Sequence, residues 1–165
     1  KKICFPHDLQ NSELTENEII KYDIFLMTPS VKIKEKLNIG CAINSGSFME
    51  MRMSDIKKYF SIIEENLIND GFFFNNNRYF KDTSGEKIKL HCYPYSNKWS
   101  VVYSKNYLNF KRLHLLITKK INSETNDIME ELKKIKKITS NHAYPDFIPI
   151  RIMKIYRIIK KLLKS

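Results

Sequence analysis

LNIGCAINSGSFMEMRMSDIKKYFSIIEENLINDGFFFNNNR, the stretch from Leu37 to Arg78, decides the predicted fold. The apolar run Ile39–Ile43 stops at Asn44–Ser47, a polar composition typical of the turn that follows a buried strand. Apolar residues then recur at helical spacing, and Phe72–Phe74 predicts a second strand that enters the core. A strand, a helix and a strand within about forty residues indicate a βαβ unit, with parallel strands and a right-handed crossover.

The predicted helix of this unit has a start signal and a stop signal. Ser54 is a favourable N-cap, and Asp55 follows it in the first turn. Asp70-Gly71 is predicted to stop the helix, because glycine adopts the left-handed conformation at small steric cost. One face of the helix carries the apolar residues Ile56, Tyr59, Phe60, Ile63 and Leu67.

Polar residues follow both strands of the unit. Ligands of open α/β sheets bind outside the carboxyl ends of the strands, so two polar clusters, Asn44–Glu50 and Asn75–Arg78, form the candidate site. Glu50 fits a general base or an acceptor for a ligand, and equally a solvated carboxylate at the helix entry. Arg78 fits a clamp for a carboxylate or phosphate, and equally a structural salt bridge.

The rest of the chain predicts more strands, a loop or hairpin over 79–86, and helices over 126–138 and 150–164. The strands are Lys2–Phe5, Tyr22–Met27, Lys87–Tyr93, Trp99–Ser104 and Leu113–Thr118, of which the last ones suit antiparallel strands at the end of the sheet.

His7 next to Asp8 fits a turn-stabilising pair or a catalytic one. The helix over 150–164 is basic and amphipathic, which suits packing on the chain's own sheet or contact with an anionic membrane.

Composition limits the class of protein. A chain of 165 residues with 42% hydrophobic content predicts one folded domain. The net charge of +11 favours anionic partners, although a lysine-rich composition can equally reflect an AT-rich genome. Three widely spaced cysteines without a CxxC pair indicate buried, reduced thiols in a cytoplasmic protein. The longest apolar runs are shorter than the ~20 residues that a bilayer requires, so no integral membrane segment is predicted.

Several catalytic motifs are missing from the sequence. Four glycines, at positions 40, 46, 71 and 85, cannot form a GxGxxG or GxxxxGK[ST] phosphate-binding loop. The sequence also lacks GxSxG, HExxH and CxxC, so neither a serine hydrolase nor a metal site is predicted.

Three blocks in a fixed order resemble a known family. They are Ala42–Met51, Gly71–Arg78 after the predicted helix, and Leu90–Trp99. This order resembles the later part of the sugar O-methyltransferases, which use S-adenosylmethionine and have a Rossmann-like sheet. The resemblance covers roughly Ile3 to Ser104. It implies an α/β fold with a Rossmann-like methyltransferase sheet that is mostly parallel and has antiparallel end strands.

The resemblance implies roles for individual residues. The strand before Asn44 corresponds to the fourth strand of that sheet, so Asn44, Ser45 and Ser47 are expected to contact the cofactor. Asn77 and Arg78 follow the fifth strand and are expected to contact the sugar or glycan acceptor. Methyl transfer also needs a base for the acceptor hydroxyl, for which Glu50 is the first candidate and His7 the second.

One departure from the family pattern is large. The glycine-rich loop and the acidic strand end that hold the cofactor normally precede this region, and the sequence has neither. The resemblance therefore implies a C-terminal half, which can be inactive without an N-terminal half or a partner chain. Residues 1–121 are expected to form this partial domain, with basic helices in 122–165 packed on it.

A binding module without catalysis is the alternative. Aromatic and basic residues alternate in Tyr93-Tyr95-Lys98-Trp99 and in Tyr103-Lys105-Tyr107-Lys111, a pattern that suits nucleic acid or an anionic glycan or lipid surface. Core packing explains most of these aromatic residues more simply, so nucleic acid is the less favoured partner. An inactive remnant of an enzyme is a third interpretation.

Overall fold

A computed structural model describes residues 1–26, 30–33, 35–83, 85–106 and 112–141. The helix predicted over 150–164, and residues 142–165 of the expected C-terminal segment, lie outside these ranges. No helix within them combines the length and the apolar character that a membrane span requires.

The N-terminal strands are short and pair as two parallel sheets. These pairs are β1 (Ile3–Cys4) with β3 (Ile24–Phe25), and β2 (Glu13–Leu14) with β4 (Lys32–Ile33). Helix α1 (Glu16–Lys21) lies between β2 and β3 in the chain. Cys4, Leu9 and Leu14 are buried in a small core of this segment. Within the described part of the predicted strand Tyr22–Met27, residues 22–26, the strand is limited to Ile24–Phe25, while Met27 lies outside the described residues.

The remaining elements form one four-stranded sheet with two helices and a hairpin. They are β5 (Ile39–Ser45), α2 (Met53–Asn66), β6 (Leu67–Arg78), β7 (Phe80–Thr83), β8 (Glu86–Lys89), β9 (Trp99–Asn106), β10 (Leu113–Lys120) and α3 (Asp127–Asn141). The strand order is β5-β6-β10-β9. β5 and β6 are parallel, while β10 runs antiparallel to both of its neighbours. The predicted βαβ unit is confirmed, and the protein is mixed α/β with a mixed sheet.

One face of this sheet is covered by α2 and α3. Phe73 of β6 is fully buried there, and its ring lies within 6.3 Å of the rings of Phe48, Phe60 and Trp99. Leu116 of β10 is buried on the same face. The helices contribute Ile56, Phe60, Ile128, Leu132 and Ile135 to this core.

The opposite face of the sheet is largely open among the described residues. Ile43 is 75% exposed, and Phe72, Val102 and Tyr103 are also exposed. The period-two alternation of strand residues explains this contrast, because Phe72 and Phe73 point to opposite faces.

The ends of α2 differ from the prediction. The N-cap is Arg52 and not Ser54, and the first helical amide, Met53 N–H, donates to Glu86 Oε2 at 3.0 Å. A carboxylate at this position satisfies an unpaired amide and favours the helix dipole. At the other end, the helix stops at Asn66, before the predicted Asp70-Gly71, and Leu67, which was predicted on the helix, is the first residue of β6. Within β6, Asp70 has the positive φ of 62° that was predicted for Gly71. Gly71 is required for another reason, because a Cβ there would lie 2.8 Å from Leu67 Cγ and 2.9 Å from Ile68 O.

Two strand limits also differ from the prediction. β6 continues through Asn75–Asn77 to Arg78, so these residues are strand residues and not a turn after the strand. The predicted strand Lys87–Tyr93 is shorter, since β8 ends at Lys89 and a single 3-10 turn, Leu90–Cys92, follows.

Of the cysteines, Cys4 is buried as predicted, but Cys41 and Cys92 are exposed.

The two neighbouring phenylalanines of β6 provide a matched test of this packing. We expect Phe73→Ala to lower the free energy of unfolding by about 3–5 kcal/mol, because it leaves a cavity in the aromatic core. Phe72→Ala, on the open face, should cost about 1 kcal/mol or less. Urea denaturation of both variants measures this difference, and equal losses would contradict the assignment of the two faces.

Candidate functional site

The turn after β5 brings its polar residues back toward the sheet. Gly46 has a φ of +76°, a conformation that glycine adopts without strain, and its amide donates to Asn76 O at 2.9 Å. The side chain of Asn44 is nearly buried, and its Nδ2 donates to Ser47 Oγ. The turn is therefore held to both β5 and β6.

Asn44 belongs to a set of bonded polar side chains that we call the asparagine network: Asn44, Ser47, Asn75, Asn77 and Tyr95. Asn77 Nδ2 donates to Asn44 Oδ1 at 2.7 Å and also to Asn75 Oδ1. Asn75 Nδ2 in turn donates to the Tyr95 hydroxyl at 2.9 Å. Asn75 and Asn77 are fully buried because they alternate with Phe74 and Asn76 along β6.

Within the described ranges, one acceptor of the asparagine network, Asn77 Oδ1, is unsatisfied. It is buried, and among the described residues no donor bonds to it. Because a buried carbonyl oxygen without a donor loses free energy, a hydrogen-bond donor that gained access to it would be stabilising.

A second set of polar side chains, the His114 network, adjoins the first: Tyr79, Ser104, Asn106, His114 and Glu131. His114 is opposite Asn77 in the β6–β10 register and points to the same face. His114 Nδ1 lies 2.8 Å from the Tyr79 hydroxyl, and His114 Nε2 lies 2.7 Å from Ser104 Oγ. Ser104 Oγ donates to Glu131 Oε1 at 2.5 Å, while the Tyr79 hydroxyl contacts Asn106 Oδ1.

Burial determines the protonation of this network. His114 is 2% exposed, and the loss of solvation lowers its pKa to about 4, although Glu131 opposes the shift. Burial also raises the pKa of Tyr79 to about 12, with a smaller contribution from Glu131. At neutral pH the imidazole is therefore neutral and the phenol keeps its proton.

The His114 network was not predicted from the sequence. A signal was present, because in Leu113–Thr118 the alternation places His114, Leu116 and Thr118 on one face, and all three are buried. A histidine flanked by leucines in a strand was read as part of an apolar run. Its partners come from β9 and α3, which no local pattern connects.

The structure brings together only some of the predicted site residues. Asn44, Ser47 and Asn77 are bonded to one another in the asparagine network. Ser45 points the other way and is exposed, although its Oγ accepts from Asn76 Nδ2 at 3.4 Å. Arg78 is exposed at the end of β6.

The two predicted bases have other contacts. The Glu50 side chain is 53% exposed and forms an ion pair with Lys81 of β7. His7 is 77% exposed, stacks on Phe5 and lies 3.6 Å from Asp8, all within the N-terminal segment. Among the hydrogen bonds of the described residues, neither joins the asparagine network.

The aromatic residues of the alternative, the basic binding module, are mostly in the core. Tyr93, Tyr95 and Trp99 are at most 4% exposed, so they cannot stack on nucleic acid bases. Tyr103 is 41% exposed, and Lys105 Nζ lies 5.8 Å from the centre of its ring. Tyr107 and Lys111 of the predicted pattern lie outside the described residues.

An apolar cavity of about 760 Å³ lies between the N-terminal segment and α2. Its lining includes Leu14, Ile19, Phe25, Tyr59 and Ile62, and none of the predicted site residues. Within the described ranges, no group of three or more His, Cys, Asp and Glu side chains could hold a metal ion.

Comparison with known proteins gives no family for the chain. No protein-family model matches the sequence, and no curated protein matches it either.

The central amide of the asparagine network is testable by substitution. We expect Asn77→Ala to lower the free energy of unfolding by about 1–3 kcal/mol, because Asn44 Oδ1 and Asn75 Oδ1 lose their donor inside the protein. The neighbour Asn76→Ala breaks one long bond at the surface and should change stability by about 0.5 kcal/mol or less. If urea denaturation gave the same small loss for both variants, the buried hydrogen bonds of Asn77 would not stabilise the fold as proposed.

His114 should also make stability depend on pH. Above its usual pKa of 6.5, the imidazole is neutral in both the folded and the unfolded chain. As the pH falls from 6.5 to about 4, the unfolded chain gains a proton that buried His114 does not accept, so stability decreases by about 3 kcal/mol.

Comparison with His114→Gln isolates this effect from that of other groups. The difference in unfolding free energy between the natural protein and His114→Gln should shift in favour of the variant as the pH is lowered from 7.5 to 4. A constant difference would show that His114 titrates normally.

Proposed function

We propose that this chain forms the acceptor side of an S-adenosylmethionine-dependent methyltransferase that acts on a sugar hydroxyl. The observation that carries the proposal is the joining of Asn44, Ser47 and Asn77 at the carboxyl ends of two parallel strands. This end of an α/β sheet is where ligands bind. The order of sequence blocks that resembles the sugar O-methyltransferases supplies the reaction and the cofactor.

The strand arrangement is compatible with a Rossmann-like methyltransferase sheet. In this interpretation β5 and β6 are the fourth and fifth strands, joined by α2, and the antiparallel β10 lies beyond them. Among the described strands β5 is an edge strand, and its outer side is then where the earlier strands of such a sheet would pair.

The residues present fit the acceptor side better than the cofactor side. The asparagine network is neutral, and its open acceptor, Asn77 Oδ1, suits a hydroxyl group. Ser45 is the exposed candidate for a cofactor contact, while Asn44 uses both its amide groups inside the network and so positions Ser47 and Asn77. When bound, S-adenosylmethionine supplies a methyl group on a sulfonium, which the acceptor oxygen attacks as the carbon–sulfur bond breaks.

The contribution of the chain is then orientation of the acceptor. A fixed hydrogen bond from the acceptor hydroxyl to Asn77 Oδ1 would hold the oxygen in one position, which lowers the entropic cost of the reaction. Arg78, exposed at the end of β6, supplies the positive charge that would contact an anionic group of the acceptor.

The basic binding module is the second candidate, favoured by the net charge of +11 and by the exposed pair Tyr103 and Lys105. It predicts binding to a polyanion that weakens steeply with salt and does not require the cofactor.

Calorimetric titration distinguishes the two. S-adenosylmethionine and its demethylated product are titrated into this chain, and into a form extended upstream where the native gene encodes one. We expect cofactor binding to the form that holds the complete site, followed by acceptor binding that Asn77→Ala weakens at least tenfold, with Asn76→Ala as the matched control. Absence of cofactor binding by either form, with salt-dependent binding to heparin, would reject the methyltransferase in favour of the module.

A further inference from the structure

The His114 network connects the carboxyl end of β6 with the surface of α3. Tyr79, which is half-buried, directly follows β6, and its hydroxyl contacts exposed Asn106 at the surface. His114 and Ser104 occupy the interior part of the network. The far end is Glu131 on α3, which is 15% exposed and accepts from Lys134 Nζ at 3.1 Å through its other oxygen.

The number of protons sets the direction of these hydrogen bonds. Glu131 forms an ion pair with Lys134, and carboxylate oxygens only accept, so the Ser104 proton must point to Glu131. Ser104 Oγ can then only accept from His114, which requires the proton of the neutral imidazole to be on Nε2. His114 Nδ1 is consequently an acceptor, and the Tyr79 hydroxyl donates to it.

The other direction leaves one contact without a proton. If Tyr79 donated to Asn106 Oδ1, His114 would carry its proton on Nδ1 and Ser104 would have to donate to His114. Ser104 Oγ and ionised Glu131 Oε1, 2.5 Å apart, would then have no proton between them. The amide of exposed Asn106 can rotate and donate to Tyr79, so all four hydrogen bonds form in the first direction.

We propose that Tyr79, His114, Ser104 and Glu131 form a proton path that takes the proton of the acceptor hydroxyl to the surface of α3. The inference rests on the proposed function and replaces Glu50 and His7 as the candidate bases. Tyr79 directly follows Arg78, and His114 is opposite Asn77, so the path starts beside the residues assigned to the acceptor.

One proton moves at each step. The acceptor hydroxyl first turns its O–H from Asn77 Oδ1 to Tyr79 Oη. As that O–H bond breaks, the proton binds Tyr79 Oη, while the proton of Tyr79 binds His114 Nδ1. The Nε2 proton of His114 passes to Ser104 Oγ, and the Ser104 proton passes to Glu131 Oε1. Glu131 ends as a carboxylic acid and returns its proton to solvent. Glu131 is the only member of the path whose charge changes. Because His114 gives up one proton as it gains another, no buried imidazolium forms.

Nitrogen-15 NMR of the full chain tests the direction without any ligand. At pH 7 we expect His114 as the neutral Nε2–H tautomer. Ser104→Ala removes the acceptor of that proton, and Tyr79→Phe removes the donor to Nδ1, so each variant should shift the tautomer ratio toward Nδ1–H. Ser100→Ala is the matched control, because Ser100 Oγ donates to Asp127 of α3 at 3.0 Å across the same two elements but outside the network.

Methyl transfer to a panel of monosaccharides, with labelled S-adenosylmethionine, tests the use of the path. Ser104→Ala, His114→Gln and Glu131→Gln should each lower kcat by about 10²-fold or more, the size expected for a lost general base, with little change in cofactor KM. Ser100→Ala and Glu50→Gln should retain the natural rate.

The outcomes separate the two proposals. The Nδ1–H tautomer in the natural protein would overturn the path whatever the activity. The Nε2–H tautomer with full transfer by Ser104→Ala would also overturn it, and would leave the methyltransferase intact. The Nε2–H tautomer without any cofactor binding would reject the proposed function, and with it the role of the path.

Discussion

The register between β6 and β10 is the constraint on which the rest of the site depends. It sets His114 opposite Asn77 and Leu116 opposite Asn75, so that polar pairs and apolar packing share one face of the sheet. A slip of β6 by one residue would turn Asn75 and Asn77 away from His114, toward the open face where Phe72 and Tyr103 are now exposed. The aromatic core around Phe73 opposes that slip, because Phe73 would leave the core as well.

The polar layer is stable in this position because its hydrogen bonds are largely made within the sheet. The asparagine network uses side-chain amides of two parallel strands as both donors and acceptors. The His114 network adds groups from β9 and α3, and its burial lowers the pKa of His114. Among the described residues, the buried side-chain polar atoms of both networks are hydrogen-bonded apart from Asn77 Oδ1, and such groups specify one arrangement because an alternative would leave more buried groups unpaired.

The sequence predicted the central unit better than its polar interior. The apolar run before Asn44, the helical spacing from Ile56 and the aromatic run Phe72–Phe74 were sufficient to predict β5, α2 and β6, because local periodicity reports which face is buried. Asn75–Asn77 were predicted to follow the strand, since asparagine is rare in strands, and tertiary hydrogen bonds overrode that preference. Contacts such as His114 with Ser104 depend on strand pairing, which no local pattern records.

The most direct test of the account is NMR of side-chain amides in the presence of ligand. Asn77 lies in the proposed site, while Asn66 is an internal control, also buried, whose amide donates to Ile62 O and accepts from Leu37 N at 2.8 Å each. On addition of the demethylated cofactor product with monosaccharides, the account predicts that the Asn77 signals shift and the Asn66 signals do not. Unchanged signals of both residues at millimolar ligand would contradict a ligand site at this end of the sheet.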